Sequence, residues 1–283
     1  KRAGADTFRI NLSHSNIESL EEYLNIFEKE GITPAIDTQG SQLRVKETSI
    51  TKIVKLGTIV DLYFKEELIK DESEDNYILL NHPEALEQIL PGNIMKVDFQ
   101  GLALEIIERK SKYSLKTKVI SPGTVLKNRA VDIQSKTLNL SILTKFDMDA
   151  INYSLSRGVK KIYASFVSDA SQVNQIRTKI GDEVKLISKI ETSKGVANVS
   201  EILANSDEIL IDRGDLSREI SITSIPMAVF NIIKIANKAN KGVCVATNVL
   251  DSMMNSPIPS RAEISDIYSH LSAGVSGIVL AAE

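Results

Sequence analysis

Short apolar runs of strand length recur from about residue 160 onward, at 161–166, 184–191, 208–212, 242–247 and 277–282, with helically spaced segments between them. Buried strands alternating with helices predict parallel β/α units. Between 223 and 241 the apolar positions Val229, Ile232, Ile233 and Ile235 fit a helix that ends near Gly242. The start of the chain repeats the theme. Residues 8–13 read as a strand, and Ser15 with Glu18 three positions on is a capping-box pattern. Ile17, Leu20, Leu24 and Phe27 then line one helix face, which Gly31 closes.

The stretch 45–131 breaks this rhythm. Residues 59–64, 77–80, 94–97, 102–106 and 113–120 read as short strands, with turns such as Pro91-Gly92 and Pro122-Gly123 between them. The expected architecture is α/β, a (β/α)8 TIM-type barrel with a small β-barrel domain inserted. The barrel is expected in two parts, 1–44 and 132–283, around an insert at 45–131, and the charged run 70–75 is expected to be a solvated loop of the insert. The strand count is about seven of the eight that close such a barrel. Ala3-Gly4-Ala5-Asp6 reads as a helix C-terminus and Glu283 follows the last strand directly, so the barrel is expected to be incomplete at both ends.

A chain of 283 residues can bury a large core and form more than one domain. Its net charge of −3 gives no electrostatic reason to expect nucleic acid as a partner. No apolar run approaches the ~20 residues of a membrane span, and residues 1–6 lack a signal-peptide core. The expectation is a soluble, cytoplasmic protein without a membrane partner. The single Cys244 lies in an apolar run and reads as a small buried hydrophobe.

Chemistry concentrates where the apolar runs end. Lys189-Ile190-Glu191, Asp212-Arg213-Gly214-Asp215 and Ala246-Thr247-Asn248 each follow such a run. Side chains two apart on a strand share a face, so Lys189 and Glu191 point one way, as do Arg213 and Asp215 if their strand runs on. The same rule groups Arg9, Asn11 and Ser13. Spacing alone leaves two readings open: Glu191 and Asp215 hold a metal ion, or they form structural ion pairs with Lys189 and Arg213. His14 reads as a structural histidine, and His82 and His270 carry no special chemistry.

Taken in order, Arg9-Ile10-Asn11-Leu12-Ser13-His14, Asp37-Thr38, Ala164-Ser165-Phe166, 187–191, Arg213-Gly214-Asp215-Leu216, Ala246-Thr247, Ser252-Met253 and Ser260-Arg261-Ala262-Glu263 resemble the pyruvate kinase family. The resemblance implies transfer of the phosphoryl group of phosphoenolpyruvate to ADP, giving pyruvate and ATP, with the insert acting as a lid. It implies Mg2+ or Mn2+ on Glu191 and Asp215, and K+ on Asn11, Ser13, Asp37 and Thr38. Arg9 and Lys189 would be the catalytic pair holding the phosphoryl group, Thr247 and the backbone at Gly214 would receive the substrate carboxylate, Ser165 and Asp215 would border the substrate, and Arg44 would face the nucleotide. A homo-oligomer is implied for a full-length form. The chain departs from the family pattern at Gln39-Gly40-Ser41-Gln42, at Ser168, at Asp98-Phe99-Gln100, at Ala281-Ala282 and at Asp212, where the family usually has alanine. The nucleotide-side departures favour one alternative, a catalytically weakened phosphoenolpyruvate-binding regulator; a second, a metal-dependent pyruvate-enolate lyase, has Lys189-Ile190-Glu191 and the insert against it.

Overall fold

The structure, a computed structural model, describes residues 3–40, 42–69, 76–98, 101–136 and 138–280. The charged run 70–75, the pair Phe99-Gln100 and the terminal Ala281-Ala282-Glu283 lie outside the described residues. Strands β1 (Arg9–Asn11) and β2 (Ala35–Asp37) come first. They are followed by β3 (Val45–Thr48), β4 (Ile59–Tyr63), β5 (Tyr77–Leu80), β6 (Ile94–Val97), β7 (Leu102–Ser111), β8 (Ser114–Ser121) and β9 (Val131–Ile133). The last five are β10 (Lys161–Ala164), β11 (Lys185–Ile190), β12 (Glu208–Asp212), β13 (Gly242–Ala246) and β14 (Gly277–Val279). The chain divides into two compact units, 1–41 with 142–283, and 42–141.

In the first unit, β1, β2 and β10 to β14 form one seven-stranded sheet in chain order, parallel throughout. Each parallel step requires a helical crossover, and the helices come where capping chemistry permits. Helix α1 (Ile17–Lys29) starts from a capping box of Asn16 with Ser19, not from the expected Ser15–Glu18 pair. Helix α2 (Lys145–Ser156) is capped by Thr144 with Asp147, and α3 (Ala170–Ile180) by Asp169. Helices α4 (Ser193–Ala197) and α5 (Val199–Asn205) follow β11, and α6 (Arg213–Glu219) starts directly after β12. Helix α7 (Ile225–Lys238) ends four residues before Gly242, and α8 (Arg261–Ser272) is capped by Ser260 with Glu263.

The strands show the period of two. Ile36, Ile162, Ala164, Leu186, Ile190, Ile209, Ile211, Val243 and Val245 belong to the large cluster shared with the helices. Their neighbours Ala35, Tyr163, Ile187, Leu210 and Ala246 form a separate small cluster with Cys244 and Val279 against it. This second cluster is the inner face of the curled sheet. Cys244 is half-buried there, more open than the apolar run suggested.

Two strand readings need correction. Strand β1 stops at Asn11 because residues Leu12–His14 turn into a short 3₁₀ helix capped by the Asn11 side chain, so Ser13 does not continue the face of Arg9. Strand β12 stops at Asp212, and Arg213 and Asp215 stand on α6. On a helix, residues two apart diverge, and each finds a different partner.

The second unit is a seven-stranded sheet in the order β3-β5-β4-β8-β7-β6-β9, antiparallel except for β4 with β5. Its ends meet: Arg44 bridges Ala130, and Val131 N–H donates to Leu43 O at 2.8 Å, so the sheet is nearly closed into a barrel. The seam explains why this unit runs wider than 45–131 on both sides. Leu43 belongs to its core, and Leu138 and Leu140 pack against it.

Candidate functional site

The inner face of the parallel sheet changes character toward the C-terminal strand ends. Two residues beyond Ala35, Tyr163, Ile187 and Leu210 stand Asp37, Ser165, Lys189 and Asp212, all buried, and Glu191 follows Lys189 by two more. Period two therefore converts an apolar layer into a charged one. Lys189 is at its centre. Its Nζ lies 2.8 Å from Glu191 Oε1, 3.4 Å from Asp37 Oδ1, 3.5 Å from Asp212 Oδ2 and 3.2 Å from Ser165 Oγ. Burial would discharge the ammonium, but Asp37, Glu191 and Asp212 outweigh it and hold the lysine pKa above its ordinary range. Arg9 adds a second cation, with Nη1 3.1 Å from Asp37 Oδ2 and the guanidinium 5.4 Å from the centre of the Tyr163 ring.

The carboxylates outnumber these cations. Burial raises the Glu191 pKa, Lys189 opposes that, and Asp215 and Asp212 push it further up. One oxygen each from Glu191, Asp212 and Asp215 lie within 4.8 Å of one another. Glu191 Oε2 accepts from Phe166 N–H at 2.6 Å, while the buried Oε1 has no hydrogen-bond partner, its contact with Lys189 being ionic only. A buried carboxylate oxygen faced only by Lys189, beside two more carboxylates, suits a hard divalent cation, which takes oxygen ligands and cancels the excess negative charge. Glu191 and Asp215 thus meet in one cluster. Arg213 pairs with neither, since Asp215 contacts Arg218 at 3.2 Å and Arg213 is turned elsewhere.

Arg213 secures the loop after β13. Its Nε and Nη2 donate to Thr247 O at 3.0 and 2.6 Å, and Nη1 binds Asp266 Oδ2 at 2.7 Å. That loop requires support, because Thr247, Asn248 and Leu250 all take positive φ, at 70°, 54° and 59°. Thr247 Oγ1 is held against Asp212 Oδ1 at 2.6 Å, and Gly214 N–H reaches the same oxygen at 3.3 Å. Gly214 has no room for a side chain: a Cβ there would lie 2.8 Å from Thr247 Cγ2. The lysine charge, the threonine hydroxyl and Arg9 overcome burial and keep the Asp212 pKa low.

The four residues expected to hold potassium come from adjacent strand ends. Asn11 and Asp37 are register partners across β1 and β2. Asn11 Oδ1 accepts from Ser13 N–H at 2.9 Å and keeps a second lone pair. Thr38 Oγ1 accepts from Ser165 N–H at 3.0 Å, and Thr38 O accepts from Ser165 Oγ at 2.7 Å. All are oxygen donors, as a hard monovalent cation requires. Arg44 belongs to the second unit, where Nη1 donates to Asn128 O at 2.9 Å. Ser168 is buried, and its Oγ lies 2.9 Å from Thr192 Oγ1. His14 is exposed, and His270 stacks on Phe230 and faces Asp266 at 3.5 Å.

Sequence reasoning missed Asp147 and Asp266. Asp147 is fully buried, and its two oxygens accept from Gln39 N–H at 2.7 Å and Gly40 N–H at 3.1 Å while also closing the α2 cap. It anchors the turn after β2 that presents Asp37 and Thr38. The Thr144-to-Asp147 capping spacing was the available local signal, although it names no distant partner.

A family model described as "Pyruvate kinase, barrel domain" matches residues 1–283. A pyruvate kinase of Methanocaldococcus jannaschii is 30% identical over 282 residues, 98% of this chain and 60% of that protein. One of Candida albicans is 28% identical, over 100% of this chain and 58% of its own. A chloroplastic pyruvate kinase isozyme G of Nicotiana tabacum is 28% identical, over 99% of this chain and 51% of its own. The chain spans roughly half to three fifths of these relatives. Among the described residues, no helix is long and apolar enough to cross a membrane.

Proposed function

The chain belongs to the pyruvate kinase family, and from that premise we propose that it moves the phosphoryl group of phosphoenolpyruvate to ADP, forming pyruvate and ATP. The observation that supports this best is one constellation at neighbouring strand ends, with Lys189, Glu191 and Asp212 buried and Asp215, Arg9 and Thr247 half-buried around them. Lys189 and Arg9 bind the phosphoryl oxygens and offset the charge that develops on them during transfer. Lys189 stays charged for that task because its carboxylate neighbours outweigh burial. Glu191 and Asp215 would hold Mg2+ or Mn2+, which when bound neutralises negative charge on the reacting groups. Ser165 orients Lys189 through its hydroxyl, and Thr247 with the Gly214 backbone faces the substrate carboxylate. Asn11, Ser13, Asp37 and Thr38 would hold K+, and Arg44 the nucleotide, with the 42–141 unit acting as a lid. We further propose a cytoplasmic location and, for the full-length form, a homo-oligomer.

A coupled assay for pyruvate from phosphoenolpyruvate, ADP and Mg2+, on the protein at its native length, tests this reading. A fall in turnover of about a hundredfold to a thousandfold in Lys189→Met is expected. The buried Ser168, where the family usually carries an arginine, favours a second reading: a weakened relative that binds phosphoenolpyruvate as a regulator. Tight phosphoenolpyruvate binding with no pyruvate formed would establish that reading and overturn the first.

A further inference from the structure

Asp212 has an unusual set of partners for a side chain at the foot of a short helix. Its Oδ1 accepts from Thr247 Oγ1 at 2.6 Å and from Gly214 N–H at 3.3 Å. Its Oδ2 lies 3.5 Å from Lys189 Nζ, and its carboxylate is one of the three that gather within 4.8 Å. The adjoining Glu191 Oε1 is buried, with Lys189 Nζ at 2.8 Å and no other polar partner, so the gathered carboxylates hold more negative charge than that one lysine cancels. A hydroxyl donates one proton, and in Thr247 that proton is committed to Asp212.

We propose that Asp212 occupies, from within the chain, the position that the carboxylate of a bound phosphoenolpyruvate-type ligand would take, and so sets how strongly such ligands bind. The inference rests on the reading of the site as a phosphoenolpyruvate site. An incoming carboxylate needs a hydroxyl proton, a backbone N–H and a nearby positive charge, and Asp212 already holds the Thr247 proton, the Gly214 N–H and a share of Lys189. Two carboxylates cannot use one proton, and beside each other they repel. The ligand therefore enters only by displacing the Asp212 side chain toward another arrangement, which weakens binding. A ligand with a phosphate but no carboxylate meets no such competition.

The test is calorimetric titration, in the presence of Mg2+, of wild type, Asp212→Asn and Asp212→Ala, with phosphoenolpyruvate and separately with inorganic phosphate. The asparagine variant removes the charge but leaves an oxygen for Thr247 and the α6 cap, which also guards against a variant that fails to fold. The alanine variant vacates the position. Expected is a gain in phosphoenolpyruvate affinity of roughly tenfold to a hundredfold for alanine, the worth of a hydrogen bond to a charged group, with a smaller gain for asparagine. Phosphate affinity should respond equally to both substitutions. Equal phosphoenolpyruvate gains for both variants would mean that charge alone acts, and unchanged or weaker binding in alanine would mean that Asp212 helps the ligand; either result overturns the proposal. Wild type and variants that all bind phosphate but not phosphoenolpyruvate would overturn the underlying reading of the site as well.

Discussion

The parallel sheet and the small antiparallel barrel have seven strands each, yet they bury different groups. The parallel sheet takes Asp37, Lys189, Glu191 and Asp212 out of water together. The small barrel fills its interior with Val60, Leu62, Ile78, Leu80, Met95, Leu104, Leu115 and Val119, and its buried Asp61 is matched at 2.6 Å by Lys110, whose side chain is 42% exposed. Buried charge is costly unless paired and hydrogen-bonded, so a fold retains a cluster of it where chemistry needs it. The contrast is that the first unit gathers buried charge at its strand ends, whereas the second buries an almost wholly apolar interior.

The sharpest way to break this contrast is Lys189→Met. It leaves three buried carboxylates facing one another, and we expect a loss of roughly 3–5 kcal/mol of stability at neutral pH, read by denaturant unfolding. Turnover should fall by about a hundredfold to a thousandfold while the Michaelis constant changes far less, because the charge acts mainly on the transition state. Equal effects on both constants would make Lys189 a binding residue only.

On the other side, Leu62→Ala in β4 opens a cavity in the small barrel, where Leu62 is fully buried. The expected cost is about 2–5 kcal/mol in unfolding, with divalent-cation affinity unchanged by calorimetry. A lost metal affinity in this variant would dissolve the distinction between the two units.

A smaller effect is expected from Glu191→Gln or Asp215→Asn, each weakening Mg2+ binding by roughly tenfold to a hundredfold with the fold intact. Unchanged affinity in both would remove the metal assignment. Glu191 also predicts a pH dependence. Its folded pKa is raised by burial and by Asp215 and Asp212, so the folded state binds the proton more tightly than the unfolded one. Its contribution to stability is present below the ordinary glutamate range and is lost as pH rises through the raised value. The difference in thermal midpoint between wild type and Glu191→Gln, followed without metal from about pH 5 to about pH 9, isolates this residue. Added Mg2+ should flatten the difference.

The smallest effect is expected at Asn11, Ser13, Asp37 and Thr38. Exchanging K+ for a large inert organic cation at constant ionic strength should slow the reaction without stopping it. Identical rates would leave the four residues a structural role.

The alternation of strand and helix segments from residue 160 onward was legible because buried parallel strands are apolar on both faces and their neighbours are capped by side chains close in sequence. So was the pairing of Lys189 with Glu191, which follows from the alternation of β11 carried one residue past its end at Ile190. The end of β12 was not legible, since Ile211-Asp212-Arg213 can continue as strand or turn, and only the Asp212 cap on Gly214 N–H decides for helix. Local pattern thus determined the elements and the face on which Lys189 and Glu191 stand. Tertiary structure alone decided that Asp212 meets Thr247, that Arg213 serves the strained loop and Asp266 instead of Asp215, and that Asp147 anchors Gln39 and Gly40. Hydrogen bonds and ion pairs between side chains far apart in sequence leave no periodic trace, because they depend on which strand ends the curled sheet brings side by side.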